Sequence, residues 1–184
     1  MATTSTRLTL EQYAELPEEP FKQELLDGEL YNSDSSFRCH SFSQEVGRAL
    51  MQILPAEFDV YFHLSMRFPN TKYATVLRPD LSVFRTDDLP KMHEVEEDSF
   101  IVLHPLLICE GIYPDQDEEF LHKKIDVYRS WGVPWVWSLD IERRGVVTEG
   151  PSGKRWQENE ICLEAPFPPL RLDLKRMFNK MGMA

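Results

Sequence analysis

Residues 76–84, VLRPDLSVF, form a β-branched and apolar run of the kind that builds a strand, yet Arg78, Pro79 and Asp80 interrupt it. Proline has no N–H to give to a strand ladder, and a half-buried carboxylate is costly to desolvate unless a positive group meets it. The run therefore predicts a strand that is bulged or locally unpaired at Pro79, with Asp80 facing a cation.

The apolar patterns on both sides of this run predict one α/β domain over residues 1–184. Thr9 and Gln12 form a capping-box pattern, and Asp27-Gly28 between apolar residues is a strong hairpin signal. In chain order the predicted elements are a short helix from Thr9, a hairpin at Asp27-Gly28, a helix over 36–54, strands over 58–68 and 76–84, an acidic loop over 86–99, a strand over 100–110, a helix over 120–131, a strand over 133–140, a closing hairpin within 143–164 and a short helix over 172–180. This order predicts a mixed central β-sheet flanked by helices, with an extra antiparallel hairpin.

The formal net charge of −11 argues against tight, non-specific binding to nucleic acid, because lysine and arginine supply the affinity for phosphate. Basic residues nevertheless cluster in a few segments, and an acidic total is compatible with a local basic face. These segments are 122–129, 142–144, 154–155 and 171–176. The sequence does not show whether they converge.

No segment of the sequence has the pattern of a secretory signal or of a membrane span. The first residues contain no apolar stretch, and the longest apolar stretch, 101–109, is about half the length that a bilayer requires. Cys39, Cys109 and Cys162 are far apart, which opposes a disulfide scaffold and a zinc knuckle. We therefore expect a cytoplasmic protein that is not bound to a membrane.

Asp80 and Glu110 are the strongest candidates for chemistry, since each lies near the carboxyl end of a predicted strand beside apolar residues. If the strands pair, the two carboxylates converge and need a cation, and a hard divalent ion such as Mg²⁺ or Mn²⁺ meets that need. Lys124 lies on the apolar side of the next predicted helix, within reach of such a cluster, with Lys123 as the competing assignment. The structural alternatives are a turn for Asp80, a strand cap for Glu110 and a lysine stem lying across an apolar face.

Five stretches of the chain occur in the order of a known set of nuclease motifs. They are LTLEQYAELPEEPFKQELLDGEL (8–30), RCHSFSQEVGRAL (38–50), RPDLSVF (78–84), LLICEGIYPDQ (106–116) and HKKIDVYRSWGVPWVWSLD (122–140). Together they resemble the Uma-type restriction-endonuclease-like proteins of the PD-(D/E)xK nuclease superfamily. The resemblance covers most of the chain and implies the restriction-endonuclease-like fold.

The resemblance also implies a metal site and a catalytic lysine. Asp80 matches the motif aspartate, Glu110 the glutamate after the central strand, and Glu24 an acidic residue that would assist as a metal ligand. Lys124 matches a lysine that lies on the following helix and would activate water or stabilise the transition state. The superfamily pattern places a lysine two residues after the glutamate, where this chain has Ile112.

The activity implied is Mg²⁺- or Mn²⁺-dependent hydrolysis of DNA phosphodiester bonds. His40 matches a histidine of the family and, with Arg78 and Lys123, is a candidate for contacting nucleic acid. A homodimer would give such an enzyme symmetric reach across a duplex. Two alternatives stay open: a nuclease fold without catalysis, working as a binding or regulatory protein, and a phosphodiesterase that acts on RNA or a small molecule.

Overall fold

The computed structural model describes residues 7–33, 37–90, 100–112 and 117–183, and its helices and strands lie within those ranges. The helices are α1 (Leu10–Ala14), α2 (Phe37–Ile53), α3 (Glu118–Ser130) and α4 (Leu174–Lys180), with a short 3₁₀ helix over Thr86–Asp88. The strands are β1 (Lys22–Leu26), β2 (Glu29–Ser33), β3 (Phe58–Phe62), β4 (Met66–Arg67), β5 (Val76–Leu77), β6 (Leu81–Arg85), β7 (Leu107–Gly111), β8 (Trp135–Asp140), β9 (Gly145–Gly150), β10 (Gly153–Gln157), β11 (Glu160–Leu163) and β12 (Leu170–Asp173). Among these helices none combines the length and the apolarity that crossing a bilayer requires. Most of the predicted acidic loop over 86–99 lies outside the described residues.

A six-stranded mixed sheet forms the centre, with the strand order β10-β9-β8-β7-β6-β3. β7 and β8 run parallel, whereas the other neighbouring strands are antiparallel. A second sheet has the order β2-β1-β5-β4, and β11 forms a separate antiparallel hairpin with β12. The predicted mixed sheet flanked by helices is confirmed, and the antiparallel hairpin predicted within 143–164 is β9 and β10, which extend the six-stranded sheet.

The run 76–84 supplies one strand to each of the two larger sheets. β5 joins the four-stranded sheet and β6 joins the six-stranded sheet, and the three interrupting residues cross between them. Pro79 lies outside both ladders, as predicted. The N–H of Arg78 donates to Glu24 Oε1 at 2.6 Å, so this N–H bonds to a side chain and not to a neighbouring strand.

Three predictions about the strands need correction. The predicted strand over 58–68 is two strands, β3 and β4, because His63 interrupts it with a φ of +52°. The predicted strand over 100–110 is reduced to β7, since Pro105 has no N–H to donate to a ladder. Asp80 precedes β6 and does not end a strand, but β6 and β7 are antiparallel, so it still meets the carboxyl end of β7.

Asp27 and Gly28 form the turn of the β1–β2 hairpin, as predicted. Their φ angles of +51° and +82° are left-handed, a conformation that aspartate tolerates and that glycine adopts at no steric cost. Asp27 Oδ1 accepts the N–H of Tyr73 at 2.7 Å, and the N–H of Gly28 donates to the carbonyl of Ala74 at 2.8 Å. These bonds hold the turn against the segment that leads into β5, which places β1 beside that strand.

The six-stranded sheet separates two hydrophobic cores, one beneath α2 and the other beneath α3. Side chains of β7 alternate between them: Leu107 and Cys109 belong to the α2 core, and Ile108 belongs to the α3 core. Glu110 continues this alternation and therefore points toward α3. The carboxyl end of β7 thus presents the Glu110 carboxylate to α3.

Gly47 lies where α2 packs against β3 and β6, and a side chain there has no room. A Cβ atom at this position would lie 2.2 Å from Phe62 Cζ and 2.8 Å from Leu81 Cδ1, so both side chains would have to move. We expect Gly47→Ala to lower the free energy of unfolding by about 1–3 kcal/mol, although alanine is the better helix former. Urea denaturation measures the change, with Gln52→Ala on the exposed side of α2 as a control expected to stay within about 0.5 kcal/mol. An unchanged or increased free energy for Gly47→Ala would contradict the packing described.

Candidate active site

Three carboxylates meet at the end of the six-stranded sheet at which β7 finishes and β6 begins. Glu110 lies in β7, Asp80 immediately precedes β6, and Glu24 reaches across from β1 of the four-stranded sheet. Each of the three residues is only 1% exposed. Because ionised carboxylates are costly to bury, this carboxylate cluster requires positive partners and hydrogen-bond donors.

Backbone N–H groups supply part of that compensation. The N–H of Gly111 donates to Asp80 Oδ2 at 2.7 Å, and the N–H of Arg78 donates to Glu24 Oε1. Both donors are close in sequence to a carboxylate of the cluster, since Gly111 follows Glu110 and Arg78 lies two residues before Asp80. The break between β5 and β6 therefore frees a donor at the place where Glu24 needs one.

Lys124 is the buried cation of the cluster. It lies on the buried side of α3, as predicted, and its side chain is 1% exposed. Its ammonium is 2.9 Å from Glu24 Oε1 and 2.7 Å from Glu110 Oε1. The structure thus brings Asp80, Glu110, Glu24 and Lys124 together, with Lys124 bridging the two glutamates.

Lys22 is a second cation, on the less buried side of the cluster, with 12% of its side chain exposed. Its ammonium lies 3.2 Å from Asp80 Oδ1, 3.6 Å from Glu24 Oε2 and 3.7 Å from Glu110 Oε2. One ammonium group is therefore shared by all three carboxylates. The sequence analysis missed this residue, although Lys22 lies two residues before Glu24 on a strand, a spacing that puts both side chains on one face.

Tyr128 completes the inner side of the cluster and was also missed. Its hydroxyl donates to Glu110 Oε1 at 2.5 Å, and burial raises the pKa of Tyr128 well above its ordinary value. Burial likewise raises the pKa of Glu110, while the ammonium groups of Lys124 and Lys22 act in the opposite direction. Sequence periodicity assigns Tyr128 to the core, and only the position of Glu110 gives its hydroxyl a function.

Two histidines border the cluster. His63 Nδ1 lies 3.9 Å from Asp80 Oδ1, and the ring of His63 stacks on that of His40 with their centroids 5.2 Å apart. Burial lowers the pKa of His63, and the carboxylate of Asp80 acts in the opposite direction. Arg78 Nε donates to the carbonyl of His63 at 2.9 Å. Of the predicted nucleic-acid contacts, Arg78 therefore lies next to Glu24, and His40 lies against His63, which borders Asp80.

Lys123 lies apart from the cluster. Its ammonium is on the exposed side of α3 and pairs with Glu119 at 2.7 Å. Neighbouring residues on a helix differ by roughly 100° in direction, so Lys123 and Lys124 face different environments. The structure separates the two candidates that the sequence left open, and Lys124 is the one that meets the carboxylates.

The carboxylate cluster has the chemistry of a site for a hard divalent cation, because such ions prefer carboxylate oxygen ligands. Within the described residues no group of three or more His, Cys, Asp or Glu side chains is arranged to hold a metal ion as it stands. The Lys22 ammonium instead lies among the three carboxylates and supplies the positive charge that a metal ion would supply there. The donor set fits Mg²⁺ or Mn²⁺ in chemical type.

The comparison with protein families identifies the chain. A family model described as "Uma2: Putative restriction endonuclease" matches residues 10–179. The chain belongs to the Uma2 family. The family membership inferred from the sequence motifs is therefore confirmed, and the carboxylate cluster lies wholly within the matched part of this Uma2 protein.

A solved structure shows that the fold is shared as well. It is described as a putative nuclease belonging to DUF820 from Anabaena variabilis, and it superposes on this Uma2 protein with a TM-score of 0.77 at 20% sequence identity. The superposition covers 94% of this chain and 98% of that chain. None of the curated proteins matches this sequence. At this level of identity the likeness establishes the fold alone.

The raised pKa of Glu110 predicts how Glu110→Gln changes stability with pH. A carboxyl group whose pKa is raised by folding stabilises the folded state below its unfolded value near 4.5, and this contribution is lost as the pH rises through the raised pKa. Glutamine does not titrate, so its contribution to the free energy of unfolding does not change with pH. We therefore expect the free energy of unfolding of Glu110→Gln, relative to wild type, to increase as the pH rises, by about 1.4 kcal/mol for each unit by which the pKa is raised.

Urea denaturation at a series of pH values, with a chelator present, measures this difference. Glu119→Gln on the exposed side of α3 is the matched control and should show a smaller change with pH. A difference between Glu110→Gln and wild type that stays constant or falls with increasing pH would show that the environment of Glu110 does not oppose its ionisation.

Proposed function

We propose that this Uma2 protein is a metal-dependent endonuclease that hydrolyses phosphodiester bonds in DNA. The observation that carries the proposal is the convergence of Asp80, Glu110 and Glu24 on a single ammonium at the edge of a sheet. Buried carboxylates gathered around a cation are the ligand set through which divalent ions act on phosphate esters. The Uma2 family description and the solved nuclease of the same fold favour the same class of enzyme.

In this proposal Asp80, Glu110 and Glu24 hold Mg²⁺ or Mn²⁺ in the region that the Lys22 ammonium takes in the structure. Such an ion, when bound, polarises a phosphoryl oxygen and lowers the pKa of a bound water. The residues around the carboxylates keep them oriented, because Gly111 N–H holds Asp80 and the Tyr128 hydroxyl holds Glu110. The ligands would therefore be prearranged by groups that do not themselves touch the substrate.

The two lysines have different roles in this proposal because their exposure differs. Lys124 is enclosed between Glu24 and Glu110 and is 1% exposed, so it positions the glutamates and reduces their mutual repulsion. Lys22 lies on the less buried side, and with a metal ion held by the carboxylates its ammonium would be available to a phosphate group. We therefore assign to Lys22 the stabilisation of the transition state that the sequence analysis offered, with activation of water, as the role of Lys124.

A binding or regulatory protein without catalysis is the second candidate. Two lysines already offset part of the charge of the three carboxylates, and Ile112 stands where the superfamily pattern has a lysine. A cluster balanced in this way can be stable without metal. This alternative requires that Mg²⁺ and Mn²⁺ do not bind at the carboxylates at millimolar concentration.

The setting that we propose is a reducing cytoplasm. Cys39, Cys109 and Cys162 form no disulfide bond among the described residues, and the first two are buried. Burial raises the pKa of Cys109, which keeps that thiol protonated and unreactive. The homodimer expected for a duplex-cutting enzyme remains a prediction.

Cleavage of supercoiled plasmid in Mg²⁺ or Mn²⁺ tests the proposed activity. We expect wild type to nick or linearise the plasmid and Asp80→Asn to lose at least about 100-fold in rate, since removing a metal ligand removes charge stabilisation worth several kcal/mol. The amide oxygen of Asn can still accept the N–H of Gly111, so the variant should fold. Asp126→Asn, on the exposed side of α3, is the control and should cleave as wild type does.

Two results would reject the catalytic proposal. Equal cleavage by Asp80→Asn and wild type would assign the activity to another site or to a contaminant. Absence of cleavage by wild type, combined with no Mn²⁺ binding in calorimetry at millimolar metal, would favour the binding or regulatory protein.

Lys22→Gln should increase the affinity for Mn²⁺, because the metal ion and the Lys22 ammonium compete for the same three carboxylates. We expect at least about a tenfold gain, since a unit charge within about 4 Å of the ion opposes its binding. Isothermal titration calorimetry measures the affinity, with Lys123→Gln as the control for loss of a lysine charge outside the cluster. Unchanged or weaker binding by Lys22→Gln would show that Lys22 does not occupy the place of the metal.

A further inference from the structure

A basic groove lies at the same edge of the sheet as the carboxylate cluster. β7 and β8 are parallel, so the segment after β8 leaves the sheet beside the end of β7 that carries Glu110. The start of α2, this segment and the end of α4 enclose a cavity of about 900 Å³. A neighbouring cavity of about 440 Å³ shares Arg144 and Met183 with the first, and the two adjacent cavities together are called the groove below.

The lining of the groove is positive although the protein as a whole is negative. Five basic side chains and two acidic side chains line it, which gives a local formal charge of +3 against −11 for the chain. The basic residues are Arg48, Arg143, Arg144, Lys175 and Lys180, and the acidic residues are Glu45 and Glu158. The basic segments 142–144 and 171–176, whose convergence the sequence left open, therefore do converge.

Part of this positive charge is not offset within the protein. Glu45 pairs with both Arg48 and Lys180, the latter at 2.8 Å. Arg144 and Lys175, in contrast, form no ion pair with any carboxylate in the part of the chain that the structure describes, and both are exposed. These two side chains are therefore directed to solvent as cations that an external anion can bind.

Two stacked histidines lie between the groove and the carboxylate cluster. His40 lines the groove and stacks on His63, whose Nδ1 lies 3.9 Å from Asp80 Oδ1. His40 is therefore the residue of the groove lining that contacts the surroundings of Asp80.

The wall of the groove also offers an aromatic surface. Phe37, at the first position of α2, is 84% exposed and lines the groove. Exposed aromatic side chains beside a cationic track stack on nucleobases, and this contact is tolerant of sequence. The first turn of α2 contains no acidic residue, which is compatible with an anion nearby.

We infer that this groove binds the sugar–phosphate backbone of the DNA strand that the carboxylate cluster acts on. The inference rests on the proposed nuclease function and identifies the surface that holds the substrate beyond the scissile phosphate. Arg144 and Lys175 contact phosphates, Phe37 stacks on a base, and His40 lies between the groove and the cluster. An acidic protein can then bind DNA through a local surface of opposite charge to its total.

Fluorescence anisotropy with a labelled DNA duplex, in a chelator so that no cleavage occurs, tests the groove. We expect Arg144→Glu and Lys175→Glu each to weaken binding about tenfold and the double variant about 100-fold. The slope of log affinity against log salt concentration should fall by about 1 for each phosphate contact removed. Circular dichroism and urea denaturation confirm that the variants, which alter exposed side chains, are folded.

Arg171→Glu and Lys154→Glu are the matched controls. Both side chains are exposed and lie outside the groove lining, and each substitution changes the net charge by the same amount as the test variants. Wild-type affinity in these controls would show that position, and not total charge, decides binding. An equal loss in controls and test variants would overturn the inference.

The remaining outcomes separate this inference from the proposed activity. If wild type cleaves plasmid while Arg144→Glu and Lys175→Glu bind and cleave equally well, the groove is rejected and the nuclease activity stands. If the variants lose DNA binding and wild type never cleaves, the groove stands and the nuclease activity is rejected. Tighter binding of an RNA of the same length, or no binding of DNA by wild type at low salt, would overturn the groove as a DNA surface.

Discussion

The cost of burying three carboxylates in one small volume is the constraint on which the arrangement of the other elements depends. Glu24 and Glu110 come from different strands, Asp80 from the segment before β6 and Lys124 from a helix. Their charges are therefore offset only when all of these elements are docked. Breaking a buried ion pair by removing one partner costs about 3–5 kcal/mol. The four-stranded sheet and α3 therefore stabilise each other through the cluster, in addition to their apolar contacts.

The interruption in VLRPDLSVF (residues 76–84) is the backbone feature that allows these carboxylates to be buried together. A continuous strand would have kept all of residues 76–84 in one sheet, and Glu24 would then have no backbone donor from that run. The break at Pro79 sends the chain from one sheet to the other, frees the N–H of Arg78 for Glu24, and places Asp80 beside the end of β7. Pro79, which is unfavourable within a strand, is thus the residue that allows the two sheets to share one carboxylate cluster.

Local signals in the sequence were sufficient for the features that depend on neighbouring residues. The Asp27-Gly28 turn, the three longer helices and the burial of β7 follow from turn chemistry and periodicity. The family motifs located the acidic residues and Lys124. The sequence could not reveal that one ammonium serves three carboxylates, because Lys22 and Asp80 are 58 residues apart and only the docking of the sheets brings them together. The division of two predicted strands between sheets escaped prediction for the same reason.

Stability alone does not account for the carboxylate cluster. Replacing a buried ionic group by well-packed apolar residues is often neutral or stabilising, so a fold that needed only a core would have no use for five charges there. The lining of the groove, in contrast, has a formal excess of positive charge. In the proposed function the carboxylate cluster binds a metal cation and the groove binds phosphate groups, and a total charge of −11 describes neither of these surfaces.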